Sequence, residues 1–365
     1  MKIGILTLPL NTNYGGILQA YALQTVLERM GHEAYIIAGK SPTKPGTIGK
    51  IRHQLSPLKS FFKQYLVPDK YSKDKLRYTR KFVKRWIKQD FYESIDMIPK
   101  DKYDAIVVGS DQIWRNKYVE KFPFLAHIET SFLYFAKDWK IKRISYAASF
   151  GTEEWEYSEK STRACADLIK LFDAVSVREK SGIDLCKKYL KHDAINVLDP
   201  TMLLSKNDYI QLICKRKKKR EGIMCYILDE DEKKSSIVEL VKSKTELNVF
   251  KTNVSYTQLS LSKRGGIQPP LEYWLQAFDD ADFVITDSFH ACVFSIIFNK
   301  PFIVIPNITR GASRFYSLLQ MFNQEHRIVD VDKGFTLSKS ILIKPDCDIS
   351  KYREDSMGFL KTNIS

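Results

Sequence analysis

No C-x-x-C pair occurs among the six cysteines, Cys165, Cys186, Cys214, Cys225, Cys292 and Cys347, and no Cys/His cluster has metal-ligand spacing. That argues against a disulfide scaffold or a zinc module and for isolated thiols in a reducing compartment. No metal and no cofactor is expected. No apolar run approaches the roughly 20 residues that a membrane span needs. Met1-Lys2 followed by Ile3 to Leu10 imitates a signal peptide, but no small-residue cleavage site follows and Asn11-Thr12-Asn13 comes at once. The stretch reads as a first buried strand, and the protein as cytoplasmic. There is no internal repeat and no long low-complexity tract. Acids are the minority charge: 43 Asp+Glu stand against 58 Lys+Arg, a formal +15. Such a field favours acidic partners: phosphorylated ligands, anionic lipids or nucleic acid.

What is present is an ordinary globular composition. A hydrophobic fraction of 44% and a charged fraction of 28% over 365 residues exclude a disordered, collagen-like or coiled-coil chain. The length suits two domains or one large one.

Lys2 to Leu8 is a continuous apolar strand candidate, followed by the turn-rich loop Pro9 to Gly16. Ile17 to Met30 then shows a helical period, with Gly31 as its stop, and Glu33 to Ala38 reads as a second strand. Strand, Gly-containing loop, helix and strand form a βαβ unit, which favours a parallel α/β sheet. Lys40 to Lys88 breaks the pattern. It holds 15 Lys/Arg and only two acids, Asp69 and Asp74, punctuated by aromatics. It reads as an insertion of basic amphipathic helices at about 40–100. Strands resume at 105–108, 143–148, 174–177 and 195–198. A domain boundary is expected near 200–220, beside the basic run Lys215 to Arg220. A second α/β half then runs to 347, with strands at 223–228, 283–286 and 302–305 and a buried helix over 289–298. Residues 348–365 are expected to pack back on the first half.

Ligands in open α/β sheets bind at the carboxyl ends of the strands, and four polar constellations fall there. Asn13-Tyr14-Gly15-Gly16 opens a helix, where glycines let backbone approach a ligand and free N–H groups favour an anion. It is neither G-x-G-x-x-G nor a Walker loop, and a tight βα turn is the competing reading. Ser110-Asp111-Gln112-Ile113-Trp114 sets a carboxylate, an amide and an indole past a strand. Gln112 and Trp114 could hold sugar hydroxyls and stack on a sugar face; otherwise Asp111 caps a helix and Trp114 is core. Arg178 follows a buried strand and offers a bidentate fork for carboxylate or phosphate; a salt bridge to Glu179 or another acid is the alternative. His290 falls in the first turn after Asp287-Ser288. An imidazole near its titration point suits proton transfer at neutral pH; the other reading is a capping or core histidine. Downstream, Arg310 and Arg314 on a Gly-containing loop could clamp a small anion.

Taken in order, these motifs resemble the polysaccharide pyruvyl transferase family across nearly the whole chain. N-Y-G-G-x-L-Q-A-Y-A-L lies at Asn13 to Leu23, G-S-D-Q-I-W at Gly109 to Trp114 and S-V-R-E-x-S at Ser176 to Ser181. D-P lies at Asp199-Pro200, and S-F-H-A at Ser288 to Ala291 with K-P at Lys300-Pro301. The resemblance implies two Rossmann-like domains facing a cleft, as in GT-B glycosyltransferases. It implies transfer of pyruvate from phosphoenolpyruvate to a sugar diol, giving a cyclic ketal and phosphate. The essential histidine would be His290 and the donor-binding arginine Arg178. Some family members carry a lysine after the final strand; here that region offers Arg310 and Arg314, with no lysine until Lys333.

In the scheme expected from these residues, Arg178 and Arg314 hold the donor, helped by Arg310, Asn13, Gly15 and Gly16. His290 is acid or base, and Asp111 or Asp287 orients it or accepts a sugar proton. The acceptor is a polysaccharide unit or a lipid-linked oligosaccharide, and Lys40–Lys88 and Lys215–Arg220 offer peripheral contact with the inner membrane face. Two other readings fit the composition: a GT-B glycosyltransferase using a nucleotide sugar, and a non-catalytic nucleic-acid-binding protein. No recognition motif supports the latter, so no nucleic acid is expected.

Overall fold

The computed structural model describes residues 1–40, 75–214, 218–252, 267–307 and 311–364. Seven strands form one wholly parallel sheet: β1 (Lys2–Leu6), β2 (Glu33–Gly39), β3 (Gln89–Tyr92), β4 (Ala105–Val108), β5 (Lys142–Ala148), β6 (Ala174–Val177) and β7 (Ile195–Asn196). Their order is β3-β2-β1-β4-β5-β6-β7. Strand order therefore reverses between β1 and β4. In an open α/β sheet the crevice beyond that switch point is where ligands bind, and here it lies between the loops that carry Asn13 and Asp111.

A second parallel sheet has the order β11-β10-β8-β9. Its strands are β8 (Ile223–Tyr226), β9 (Val249–Lys251), β10 (Phe283–Thr286) and β11 (Phe302–Val304). Central strands such as β4, β8 and β10 are buried on both faces. That is why they read as unbroken apolar runs rather than alternating ones.

Helix α1 (Tyr14–Arg29) buries twelve of its sixteen residues. An amphipathic surface helix would keep a polar face; this one lies between the two sheets and has almost none. Its side chains Ile17, Leu18 and Leu23 share one continuous core with Met224, Trp274 and Phe294 of the second half. Tyr14 packs on Trp274 at 5.6 Å between ring centroids, and its hydroxyl donates to the Pro269 carbonyl. Gln268 donates to the Thr12 carbonyl at 2.6 Å. The start of α1 is thus fixed from both sides.

The chain ends in a helix, Ser350–Ile364, whose Ser356 hydroxyl accepts from the Leu198 N–H at 3.0 Å and whose Phe359 lies 6.2 Å from Tyr146 of β5. These contacts place it on the first sheet.

The basic segment differs from its sequence reading where it is described. Residues 41–74 lie outside the described residues. A helix follows at Arg77–Trp86, with Phe82 and Val83 buried. Then β3 pairs with β2 and extends the sheet edge, so this end of the segment is part of the sheet rather than an insertion. Lys215 to Lys217 are also outside the described residues. Lys219 pairs with Glu221 at 3.3 Å. The Arg220 guanidinium stacks 3.8 Å from the Tyr273 ring and pairs with Asp280 at 3.4 Å. Arg220 is therefore turned into the protein and is not a membrane-facing cation. Among the described residues, no helix is long and apolar enough to cross a membrane.

Candidate active site

Arg178 follows β6 directly and is almost wholly buried. Its Nη1 donates to Asp199 Oδ2 at 2.7 Å, and Nη2 stands 3.8 Å from Asp111 Oδ1. Nε and Nη2 make no hydrogen bond. Burial opposes the guanidinium charge, but Asp199, Asp111 and Glu179 outweigh it and raise its pKa. The arginine is held charged along one edge, while Nε and Nη2 on its other edge make no hydrogen bond.

Asp199 is the hub. Its Oδ1 accepts the Thr201 N–H at 3.0 Å and the Thr201 hydroxyl at 2.6 Å. Oδ2 accepts from Arg178 and from Ser110 Oγ at 3.5 Å. His290 Nε2 stands 3.4 Å from the same oxygen, within ion-pair range but not aligned as a hydrogen bond. Burial alone would raise the pKa of this carboxyl. The neighbouring His290 and the Arg178 guanidinium, with the Thr201 donors, more than reverse that, and hold it well below the ordinary range.

His290 sits in the first turn of the helix Phe289–Ile297, whose N-cap is Ser288. The imidazole packs on Gly15 at the start of α1. A Cβ on Gly15 would overlap the ring, so only glycine admits this approach. The neighbouring Phe289 ring carries two guanidiniums, Arg178 at 4.7 Å and Arg314 at 5.1 Å. Arg314 comes from the helix Ser313–Met321. Burial, then repulsion from Arg178, pulls its pKa down to about 10. Glu179 Oε1 collects Ser149 Oγ and the N–H groups of Phe150 and Gly151 at 2.8–3.1 Å, while its Oε2 has no partner. Asp111 Oδ2 accepts from Asn13 Nδ2 at 3.4 Å. Asp111 itself has φ 58°, a left-handed backbone that non-glycine residues adopt mainly where structure forces it, often at functional sites.

Asn13, Gly15, Gly16, Asp111, Arg178, His290 and Arg314 are thereby brought together at the junction of the two halves. Three expected residues stand elsewhere in role or place. Trp114 is core: it is fully buried, stacked on Phe132 at 4.8 Å, and its indole N–H donates to the Ser131 carbonyl. No sugar can reach its face. Asp287 does not orient His290. Its carboxylate accepts the Leu228 and Asp229 N–H groups and the Lys234 ammonium at 2.9 Å, and the carboxylate beside His290 is Asp199. Gln112 is buried, and its Oε1 accepts from Arg115 at 3.0 Å. Arg310 lies outside the described residues. Two residues escaped as site members, Asp199 and Glu179. The first carried a signal, an acid followed by proline just past a strand; the second was weighed only as a partner for Arg178.

A family profile for polysaccharide pyruvyl transferases matches residues 13–308. The chain belongs to the polysaccharide pyruvyl transferase family. The matched span runs from the start of α1 past β11, so it takes in every strand but β1 and every site residue above but Arg314. No curated protein matches the chain significantly. Solved structures with the same fold include MnaA of S. aureus with UDP, at 12% identity over 100% of this chain and 96% of that one, TM-score 0.51. The UDP-GlcNAc 2-epimerase of Methanocaldococcus jannaschii is similar at 14% identity over 99% and 100% of the two chains, TM-score 0.50. At such identities the likeness is one of fold: two facing parallel α/β units of the GT-B type. The family makes the chain a transferase of pyruvyl units in polysaccharide synthesis.

Proposed function

We propose that the protein transfers the three-carbon unit of phosphoenolpyruvate to two hydroxyls of one sugar, forming a cyclic ketal and releasing phosphate. The observation that carries this reading is the Nε–Nη2 edge of buried Arg178, which makes no hydrogen bond, set beside a His290 Nε2 that makes none either. Buried donors without partners are uncommon, and a guanidinium edge of this kind matches a carboxylate or phosphate bidentately.

Arg178 and Arg314 hold the donor's two anionic groups, close to where Gly15 at the start of α1 packs on His290. A proton delivered to the enol methylene makes the adjacent carbon electrophilic. One sugar hydroxyl adds to that carbon and gives up its proton. The second hydroxyl then displaces phosphate, and its proton leaves with the phosphate or with a base. His290 is the acid or base in one of these steps, a role worth about 10²–10⁴ in rate. Asp111 accepts a sugar proton. The strongly basic composition of Lys40–Lys88 favours an acceptor carried on an anionic membrane surface, at about 1 kcal/mol per cation near such a surface.

Thermal denaturation with added ligands tests the donor. Phosphoenolpyruvate should stabilise the protein by about 2.7 kcal/mol at a hundred times its Kd. Arg178→Met should abolish the effect, and UDP-GlcNAc should produce none. Stabilisation by UDP-sugars with no response to phosphoenolpyruvate would overturn the reading in favour of glycosyl transfer.

A further inference from the structure

We propose that Asp199 is a positioning residue that couples anion binding at Arg178 to protonation of His290, serving both through the single oxygen Oδ2. The inference rests on the donor reading above insofar as a phosphate- or carboxylate-bearing ligand is what occupies Arg178.

The carboxylate cannot turn to share its two oxygens. Oδ1 is held by both the N–H and the hydroxyl of Thr201, and the following Pro200 restricts the backbone. Oδ2 is therefore fixed toward Ser110, Arg178 and His290. Without ligand the arginine has the oxygen: its contact is 2.7 Å, while the imidazole waits at 3.4 Å without hydrogen-bond alignment. The charge around His290 is nearly balanced. Asp199 faces it from the loop after β7 and Arg178 from the end of β6. Arg314 reaches it through Phe289, and Asp111 lies beyond Gly16. Glu179 stands behind the two arginines. The first turn of α1 carries no charged side chain. Two guanidiniums against three carboxylates leave a formal −1 when the imidazole is neutral. An anion on the Nε–Nη2 edge draws on the guanidinium and adds negative charge to the same crevice. Both effects favour a proton on His290, which then takes the oxygen that the arginine releases in part. Donor binding itself arms the acid.

Calorimetric titration at pH 8 reads this without an acceptor sugar. A phosphate monoester is then dianionic, its second pKa being about 6, so the ligand supplies no proton. Phosphoenolpyruvate is titrated into the full chain in two buffers of different ionisation heat, and the difference counts protons. Wild type should take up protons on binding. His290→Gln and Asp199→Asn should bind with uptake near zero. Thr201→Val removes one of the two bonds that hold Oδ1, leaving the backbone N–H, without removing a charge, and should lower the uptake; it serves if Asp199→Asn fails to fold. Binding with no buffer-dependent heat in wild type, or wild-type uptake in the Asp199 and Thr201 variants, would overturn the coupling while leaving the donor reading intact. Inorganic phosphate is run in parallel. Uptake on phosphate with no binding of phosphoenolpyruvate would keep the coupling and remove the donor. Binding of neither anion would overturn both.

Discussion

Removing the Lys234 ammonium should cost stability in a way that depends on pH. Lys234, on the helix Glu232–Thr245, and Asp287, just past β10, form an ion pair at 2.9 Å, with side-chain exposures of 8% and 0%. Breaking a buried pair by deleting one partner typically costs about 3–5 kcal/mol. Here the stranded carboxylate keeps the Leu228 and Asp229 N–H groups, so about 2–4 kcal/mol is the expected loss for Lys234→Met. At about 2.1 cal/mol/K per residue, 365 residues have an unfolding entropy near 0.8 kcal/mol/K. The Tm should fall by about 3–5 °C if the two halves unfold together. The pKa of Asp287 is already raised, first by burial, and losing the ammonium raises it further. A carboxyl whose pKa is raised on folding binds more protons folded than unfolded, so it lowers stability as pH climbs through the folded value. The penalty of Lys234→Met should therefore be largest at pH 7–8 and shrink toward pH 5. Asp287→Asn added to Lys234→Met should recover part of the loss. Differential scanning calorimetry at three pH values checks all of this. A Tm within 1 °C of wild type at pH 8, or a penalty that does not change with pH, would refute the buried-pair argument.

Two further substitutions follow from the geometry. Gly15→Ala should lower phosphoenolpyruvate-dependent phosphate release with an oligosaccharide acceptor fraction by about 10²-fold, the scale for displacing a catalytic group by about 1 Å. It should do so although alanine is otherwise the better helix former by about 0.5–1 kcal/mol. Gly16→Ala, whose Cβ would meet the exposed Asn13 amide and Asp111 at 3.1 Å, should cost far less; equal losses would refute the His290 contact as the cause. Asp208 pairs with Arg29 and completes a capping box with Ser205, which holds its pKa down at about 2, with burial opposing. A depressed carboxyl stabilises above the unfolded pKa near 4 and ceases to as pH falls toward the folded value. Asp208→Asn should thus cost about 1–2 kcal/mol at pH 6, discounted for the half-exposed Arg29, with the difference from wild type closing between pH 4 and pH 2 in urea titrations.

Residues placed by local periodicity were legible in the sequence. His290 and Arg178 each follow a short apolar strand, and in a parallel sheet that alone puts them at the ligand edge. The alternation of strands and helices was enough to read two α/β halves. What could not be read was any partner chosen by topology. Asp199 serves Arg178 because β6 and β7 are neighbours at the sheet edge, and it serves His290 because α1 draws the second half against the first. Asp287 is captured by a lysine 53 positions earlier. Trp114 misled because the polar residues beside it suggested a sugar platform; it is instead buried among Phe132, Phe150 and Ser131. Strand β3 was invisible because Gln89–Tyr92 is short, polar at its start and embedded in a basic stretch.

The site also shows why net charge and local charge must be argued separately. The formal +15 acts at long range, raising the encounter rate with anions and weakening with salt. At the junction itself, Asp111, Asp199 and Glu179 more than balance Arg178 and Arg314. Three carboxylates near two guanidiniums would be a poor anion trap if every donor were satisfied. They are not: Arg178 Nε and Nη2 and His290 Nε2 are buried without a hydrogen bond. The carboxylates keep both arginines charged and in place in a region where a lone cation would be costly to bury. On the proposed reading, retention of an anion depends on that donor edge and on a proton, not on surplus positive charge. A chloride, a single-point anion with no two-oxygen edge to match the guanidinium, should gain little from such a site. On the same reading, selectivity for a carboxylate- or phosphate-bearing ligand follows from hydrogen-bond geometry rather than from electrostatic strength.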